Sequence, residues 1–397
     1  MRILFLCRCI EPGADGVGDY TRALALTLAT RGHDVGIVAV NDAVEVAVAG
    51  TMPAGAAEQV AVLRLPRRWS WAQKNAALCV FATDFAPDWI SLQFVPWSFG
   101  VKGLVYAFAR ILRNCATICA AQVHIMFHEL WLEYDSGPCK NRVTGYLQAK
   151  GIHRLLRMVD PQVCHTSNAY YLKRMRALCP RIALLPLFGN IPVATSAEPQ
   201  VLEQLFSQTP GGSAWAPRSD WILACLFGKI PQGFDAAEVL ESLLRYSQRD
   251  GKQLGLLLLG RNGPHADAFL ERIEQQFGDS IRRRCCGPQP PAVLSALFRE
   301  VDLGIAVTPL EIVGKSGAVA AMTEHGLPVI VPHRLHATPA GADDRATTVE
   351  TGRENRYWLF TGKHFDWAAC LRCRSKASPR LDEVVRSLER SLASEQD

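Results

Sequence analysis

The chain has 397 residues, of which 49% are hydrophobic and 20% charged, with a formal net charge of +5. This balance excludes a disordered tail, a collagen-like repeat and a coiled coil. The length suits two or three domains, each able to bury a core of its own.

No run of 18 or more uncharged apolar residues occurs, because the nearest, from Phe94 to Leu112, is broken by Pro96, Lys102 and Arg110. No transmembrane helix is therefore expected. The opening Met1-Arg2-Ile3-Leu4-Phe5-Leu6 reads as too short for a signal peptide. A cytoplasmic location follows as the expectation, with the 13 cysteines as free thiols. Cys370-Leu-Arg-Cys373 is a lone C-x-x-C without the second pair that a zinc site needs.

Charge is unevenly spread. Between Arg64 and Arg181 there are 16 basic against 6 acidic residues. Such a surface suits phosphates, anionic lipids or nucleic acid. For most single residues an ordinary solvated face accounts for it, and no aromatic-basic stacking module points to nucleic acid.

In chain order, residues 3–7 form a short continuous apolar run, as a buried parallel strand does. A loop with Gly13, Gly16 and Gly18 follows. A helix is predicted over 19–30, with Tyr20, Leu24 and Leu28 on one face and Gly32 at its C-cap. The next strand is 35–40, and this strand–helix–strand order opens a doubly wound sheet. Further strands are predicted at 60–65, 89–94, 122–127, 163–166 and 183–185, and a helix at 142–158 with Arg142, Lys150, Arg154 and Arg157. Residues 190–219 read as a Pro, Gly, Ser and Thr-rich linker with one short helix at 201–207.

The alternation then restarts. Strands are predicted at 221–227, 254–259, 281–286, 303–307 and 328–331, and helices at 236–249, 266–276, 291–301 and 317–325. A charged helix closes the chain. The expected organisation is an N-terminal Rossmann-like domain (1–190), a linker (191–219), a C-terminal Rossmann-like domain (220–379) and a final helix (380–397). This is an α/β chain of two doubly wound domains, with ligands expected in a cleft at the carboxyl ends of the strands.

Five places carry chemistry. Gly16 and Gly18 would let backbone come close to a ligand at a helix start, with Asp19 as the helix cap. The spacing is not that of a dinucleotide fingerprint, and Asn41-Asp42 is only loosely placed for a ribose. His128, followed by Glu129, ends a strand and is placed to bond a substrate hydroxyl or phosphate; a structural role is the alternative. His124, in mid-strand, reads as core or sheet face. Lys229 ends the first strand of the second domain, where it could neutralise a diphosphate, and Arg261 sits in a flexible loop after the next strand. Finally, Glu311-Ile-Val-Gly314-Lys315-Ser316-Gly317 leads into a helix whose small first residues invite a phosphate onto its amides. The Walker pattern is not met there.

These residues resemble the two-domain GT-B glycosyltransferases, and within them the retaining, nucleotide-sugar-dependent family 4 type. Gly16-Val-Gly18-Asp-Tyr-Thr-Arg-Ala-Leu-Ala followed by Arg31-Gly-His33-Asp-Val is similar to that family's opening loop, helix and second strand. His128-Glu129 matches its His-acidic pair. Lys315-Ser-Gly-Ala-Val-Ala-Ala-Met-Thr-Glu-His-Gly326-Leu-Pro328-Val-Ile matches its donor-site helix and the G-x-P-V after it. The family's Glu-x7-Glu pair is absent, since its slots hold Val313 and Ala321. Glu311 precedes the first slot by two residues. Glu324 lies one turn past the second; either Glu could compensate, although Glu324 reads first as a solvated helix-end residue. Lys229 fills one of the family's two basic positions, and Gln232 stands near the other.

The resemblance implies sugar transfer with retention from a nucleotide-diphosphate donor, expected to be of the UDP or GDP type. No cofactor is expected, and no metal is required because lysines and helix amides cover the diphosphate. His128 and Lys229 would be catalytic. Gly16, Gly18, Arg261, Glu311, Lys315, Ser316 and Gly317 would face the donor, and Glu129 and Asp19 the acceptor. The acceptor would be a saccharide, a lipid-linked saccharide or a small metabolite. Trp97, Phe99 and Lys102 in one loop suit contact with a membrane surface, core aromatics being the alternative. Two other readings are a GT-B sugar-nucleotide epimerase or hydrolase, and a non-catalytic partner that supports an active glycosyltransferase.

Overall fold

The computed structural model describes residues 1–55, 58–132, 139–194, 217–332, 348–350 and 356–394. The predicted helix at 201–207 lies outside them. The chain forms two compact units, residues 1–187 with the helix Leu381–Ala393, and Phe188–Arg380.

In the first unit, β1 (Arg2–Cys7), β2 (Asp34–Asp42), β3 (Val48–Pro53), β4 (Gln59–Pro66), β5 (Trp89–Phe94), β6 (Gln122–Phe127), β7 (Val163–Thr166) and β8 (Ala183–Leu184) pair in the order 3-4-2-1-5-6-7-8. All pairs are parallel except β3 with β4. Every residue of β5 is buried, as expected of a strand covered on both faces. β3 was not predicted: its residues are almost all exposed, so it lacks the apolar alternation that marks a half-buried strand.

The first helix, Gly16–Thr30, starts three residues before its predicted position. Its cap is Asp15, whose carboxylate accepts from the Val17 amide at 3.2 Å, rather than Asp19. Asp19 instead accepts from the Gly13 amide at 2.9 Å. At the other end, Gly32 (φ +87°) donates to the Ala29 carbonyl and His33 to that of Leu28, a Schellman closure that needs a left-handed residue.

The final helix belongs to the first unit. It buries Val384, Val385, Leu388 and Leu392. Glu389 accepts both Nε and Nη2 of Arg31, at 2.9 and 2.8 Å, and lies 2.9 Å from His33 Nε2. The Arg31 fork, at the end of the first helix, thus sets the position of the last one.

The second unit contains β9 (Trp221–Phe227), β10 (Gln253–Leu259), β11 (Ile281–Gly287), β12 (Leu303–Ile305), β13 (Val329–Val331), β14 (Thr348–Glu350) and β15 (Arg356–Leu359), in the order 11-10-9-12-13-15-14. Among the described strands of this unit, only β14 runs antiparallel to its neighbour. β9 shows why this sheet has two covered faces. Ile222, Ala224 and Leu226 enter one apolar cluster, and Leu223, Cys225 and Phe227 enter the other.

Leaving aside the antiparallel edge strands β3 and β14, each sheet changes direction of strand addition once, beside β1 in the first unit and beside β9 in the second. At such switch points the loops leaving the carboxyl ends diverge and leave room for a ligand.

Candidate functional site

In the first unit the glycine loop leaves β1, and His128 immediately follows β6. The two glycines have different local duties. A Cβ on Gly18 would lie 2.0 Å from the Cys9 carbonyl oxygen, so this glycine lets the helix sit against the loop after β1. A Cβ on Gly16 would meet nothing within 4 Å. Asp42, at the end of β2, is fully buried and its carboxylate is taken up by Arg64 Nε at 2.7 Å, the Ala43 amide at 2.8 Å and Cys9 Sγ at 3.2 Å. It holds the Cys9 loop.

The His128 ring is buried and lies 5.0 Å, edge to face, from Tyr20. Its Nε2 is 2.9 Å from Gln93 Oε1. An amide oxygen only accepts, so His128 donates from Nε2 and its Nδ1 is the acceptor face. Burial pushes the imidazole down to about 3, and the ring is therefore neutral at physiological pH. A neutral imidazole with a bare Nδ1 suits a hydroxyl better than an anion. The backbone amide of His128 donates to the Phe94 carbonyl at 3.0 Å, which ties its position to β5. Glu129 is half-buried, and its charge together with that of Asp19 raises Asp15, whose main upward push is burial.

In the second unit Gly228 (φ +88°) turns the chain out of β9 and presents Lys229, which is exposed. The Lys229 stem runs over Gly263, where a Cβ would lie 3.0 Å from its Cγ. Exposed Arg261 occupies the same loop after β10. These two loops are clamped by Asn262, a residue that the sequence reading did not single out. Its buried Nδ2 donates to the carbonyls of Gly228 and Leu259, both at 3.0 Å, and its own carbonyl accepts from the Ile230 amide at 2.9 Å. The only sequence signal was an Asn between two glycines after a strand.

Ser316 caps the helix Gly317–Glu324, its hydroxyl accepting from the Val319 amide at 3.3 Å. A Cβ on Gly228 would lie 3.6 Å from that of Ala318, so the β9 loop and the start of this helix are neighbours. The structure thus brings Lys229, Arg261, Ser316 and Gly317 to one end of the second sheet. Glu311 and Lys315 are half-buried on the short 3-10 turn Leu310–Lys315 just before. The first turn of the helix carries partial positive charge, so this end has the character of a phosphate seat.

The two carboxylate slots are apolar core. Val313 and Ala321 are 2% and 0% exposed and share one cluster. Gly189 covers the second slot, since a Cβ there would lie 2.6 Å from the Ala321 Cα. Glu324 corrects the sequence expectation of a solvated helix end. It is 5% exposed, and its Oε1 accepts from the Gly189 amide at 2.7 Å. Gly326 (φ +78°) also has a packing duty, as a Cβ there would lie 2.0 Å from the Ser375 carbonyl oxygen.

Among the described residues no three His, Cys, Asp or Glu side chains gather as a metal site, and none of their helices is long and apolar enough to cross a membrane. In the Trp97 loop, Trp97 is 50% exposed, Phe99 is buried and Lys102 is exposed.

No family model and no curated protein matches this chain. Solved structures do. HepE of Anabaena, in complex with UDP and glucose, shares a TM-score of 0.59 at 14% identity, covering 99% of this chain and 100% of that one. The catalytic domain of starch synthase IV from Arabidopsis thaliana, bound to ADP and acarbose, gives 0.58 at 12% identity over 98% and 99% of the two chains. A glycosyltransferase from Rickettsia africae gives 0.56 at 10% identity over 99% and 96%. The chain therefore has the two-domain α/β fold of the GT-B glycosyltransferases.

Proposed function

We propose that this chain is a glycosyltransferase that moves a sugar from a nucleotide-diphosphate donor, of the UDP or GDP type, with retention of configuration. The observation that carries the reading is the end-to-end likeness to a glycosyltransferase fold solved with UDP and glucose. The phosphate-seat character of the loops around Lys229 and Ser316 supports it.

Breaking the bond between sugar and diphosphate builds negative charge on the departing phosphate. A site that performs this reaction must stabilise that charge above all. In this reading Lys229, Lys315 and the amides at Ser316 and Gly317 do so, with Arg261 near the diphosphate. His128 accepts a hydrogen bond from a hydroxyl of the transferred sugar through Nδ1. It orients the sugar through that bond. Gly16 allows close approach of the donor, and Asp19 and Glu129 meet the acceptor. The reaction as read here needs no metal.

A membrane-surface acceptor fits the first unit. The helix Cys139–Val159 exposes Val143, Tyr146 and Leu147. It runs beside the Trp97 loop, as Gln148 Nε2 donates to the Lys102 carbonyl at 2.8 Å. Neither the helix nor residues 96–119 contain an acidic residue, whereas both carry Lys and Arg. Apolar side chains set in basic surface suit an anionic bilayer. Vesicles containing phosphatidylserine should pellet the protein, and vesicles of phosphatidylcholine alone should not.

The apolar filling of both carboxylate slots favours a second reading, a non-catalytic partner that supports an active glycosyltransferase. A thermal-shift series with UDP, GDP, ADP, dTDP and CMP, with and without Mg²⁺, separates the two. A ligand at 100 times its dissociation constant adds about 2.7 kcal/mol. A shift with one diphosphate names the donor base, whereas no shift with any of them favours the partner reading.

A further inference from the structure

One face of the first sheet carries polar side chains where a parallel sheet normally buries only apolar ones. Ser91 and Gln93 stand two apart on β5, His124 lies opposite Ser91 on β6, and His165 lies on β7. Each of the four is 3% exposed or less. A buried polar group left without a partner costs about 1–3 kcal/mol, and here each finds one.

The bonds run in series. His128 Nε2 is 2.9 Å from Gln93 Oε1, and Gln93 Nε2 is 2.9 Å from Ser91 Oγ. Ser91 Oγ is 2.8 Å from His124 Nδ1, and His124 Nε2 is 3.1 Å from His165 Nδ1. His165 Nε2 is 3.2 Å from Ser391 Oγ on the final helix, and Ser391 Oγ is 3.0 Å from the Ser387 carbonyl.

We propose that Ser391 is a positioning residue that fixes the tautomer of His128 through this chain. A series of this kind can run either way if the Gln93 amide turns over with it, and its last member sets which way that amide faces. Of the two partners of Ser391 Oγ, the Ser387 carbonyl is the nearer, at 3.0 against 3.2 Å, and can only accept, so the single hydroxyl proton is assigned to it. His165 must then donate from Nε2 and accept at Nδ1. His124 donates from Nε2 and accepts at Nδ1 from the Ser91 hydroxyl. Ser91 accepts from the Gln93 amide, whose oxygen accepts from His128 Nε2–H. The outcome is a His128 with no proton on Nδ1, the form that receives a hydroxyl. In the opposite polarity Nδ1 would carry the proton and would suit a phosphate or carbonyl oxygen instead. Burial keeps all three imidazoles neutral, so each has one donor and one acceptor nitrogen. The Arg31–Glu389 clamp, two residues before Ser391, holds that hydroxyl in register.

The role of His128 in sugar recognition rests on the function proposed above; the tautomer does not. The test is therefore long-range ¹H–¹⁵N spectroscopy of the histidine rings in the full chain without any donor. The expected result is Nε2–H with bare Nδ1 at His124, His128 and His165. In Ser391→Ala, which removes the acceptor of His165, His128 should move toward Nδ1–H, and Ser391→Thr should restore the original pattern. Sugar transfer should fall about tenfold in Ser391→Ala and stay within about twofold in Ser391→Thr. An Nδ1–H His128 in the unsubstituted protein overturns the proposal even if no variant folds. So does an unchanged His128 pattern in a folded Ser391→Ala. Correct tautomers together with transfer that is indifferent to His128→Ala would leave the chain standing and remove His128 from the sugar.

Discussion

The Glu324 carboxylate accepts the Gly189 amide proton at 2.7 Å, although 135 residues separate them. Gly189 lies just after the chain enters the second unit at Phe188, and Arg380, whose charge also acts on Glu324, lies where it leaves. One buried carboxylate thus attends both crossings.

That position gives a pH dependence. Burial raises Glu324 from 4.5 to about 7, and the Gly189 amide and Arg380 only partly offset it. Between those values the folded chain holds a proton that the unfolded chain has released. Stability therefore falls as pH climbs through this window, and the loss is complete above about 7. The full effect is at most about 3 kcal/mol. Urea unfolding at about pH 5 and about pH 8 should show that loss in the native chain and a flatter response in Glu324→Gln. An unchanged slope would exclude Glu324 as its source.

His128→Ala should lower sugar transfer by about a hundredfold, the scale of losing one hydrogen bond that strengthens in the transition state, while shifting the melting temperature far less than a core deletion does. Because burial holds the ring near 3, the pH–rate profile between about pH 5 and 8 should contain no inflection from His128. Full transfer in the variant would displace His128 from the reaction.

Lys229→Ala should weaken a nucleoside diphosphate about tenfold, the scale of one charge-assisted hydrogen bond, and leave the nucleoside alone nearly unaffected. Calorimetric titration of both ligands decides it. An equal loss for the two removes Lys229 from the phosphate.

The opening glycines should separate by stability. Gly18→Ala forces a Cβ onto the Cys9 carbonyl oxygen and should cost about 1–3 kcal/mol or more. Gly16→Ala enters open space and should leave stability nearly unchanged. A loss of donor affinity in Gly16→Ala alone would then be a direct effect at the site. Paired denaturation and donor-binding curves read both.

β1 and β9 were legible because strands covered on both faces are written as nearly unbroken apolar runs, and β5 because Trp89, Ile90, Leu92 and Phe94 outweigh its two polar residues. The position of His128 was legible as a polar residue just past the apolar end of β6, Ile125-Met126-Phe127. Lys229 and the start of the helix at Gly317 were legible from glycines and small residues at strand ends. Ser91, Gln93 and His165 were not, because their meaning depends on register between strands that are distant in sequence. Asn262 was missed for the same reason, as its partners lie on another loop. Glu324 was misread because helix-end acids are usually solvated, and only the packing of Gly189 over Ala321 shows that this one is covered. The partner of the final helix was illegible too, since nothing near residue 389 in sequence names Arg31.

That last pairing has a consequence for how the protein is made. A ribosome releases the strands of the first unit early, but the helix that carries Glu389 and Ser391 emerges only after the second unit has been synthesised. Until then Arg31 and His33 lack their carboxylate and His165 lacks its hydroxyl. The first unit is therefore completed only after the whole of the second has been synthesised, so its parts do not pack in the order in which they are made.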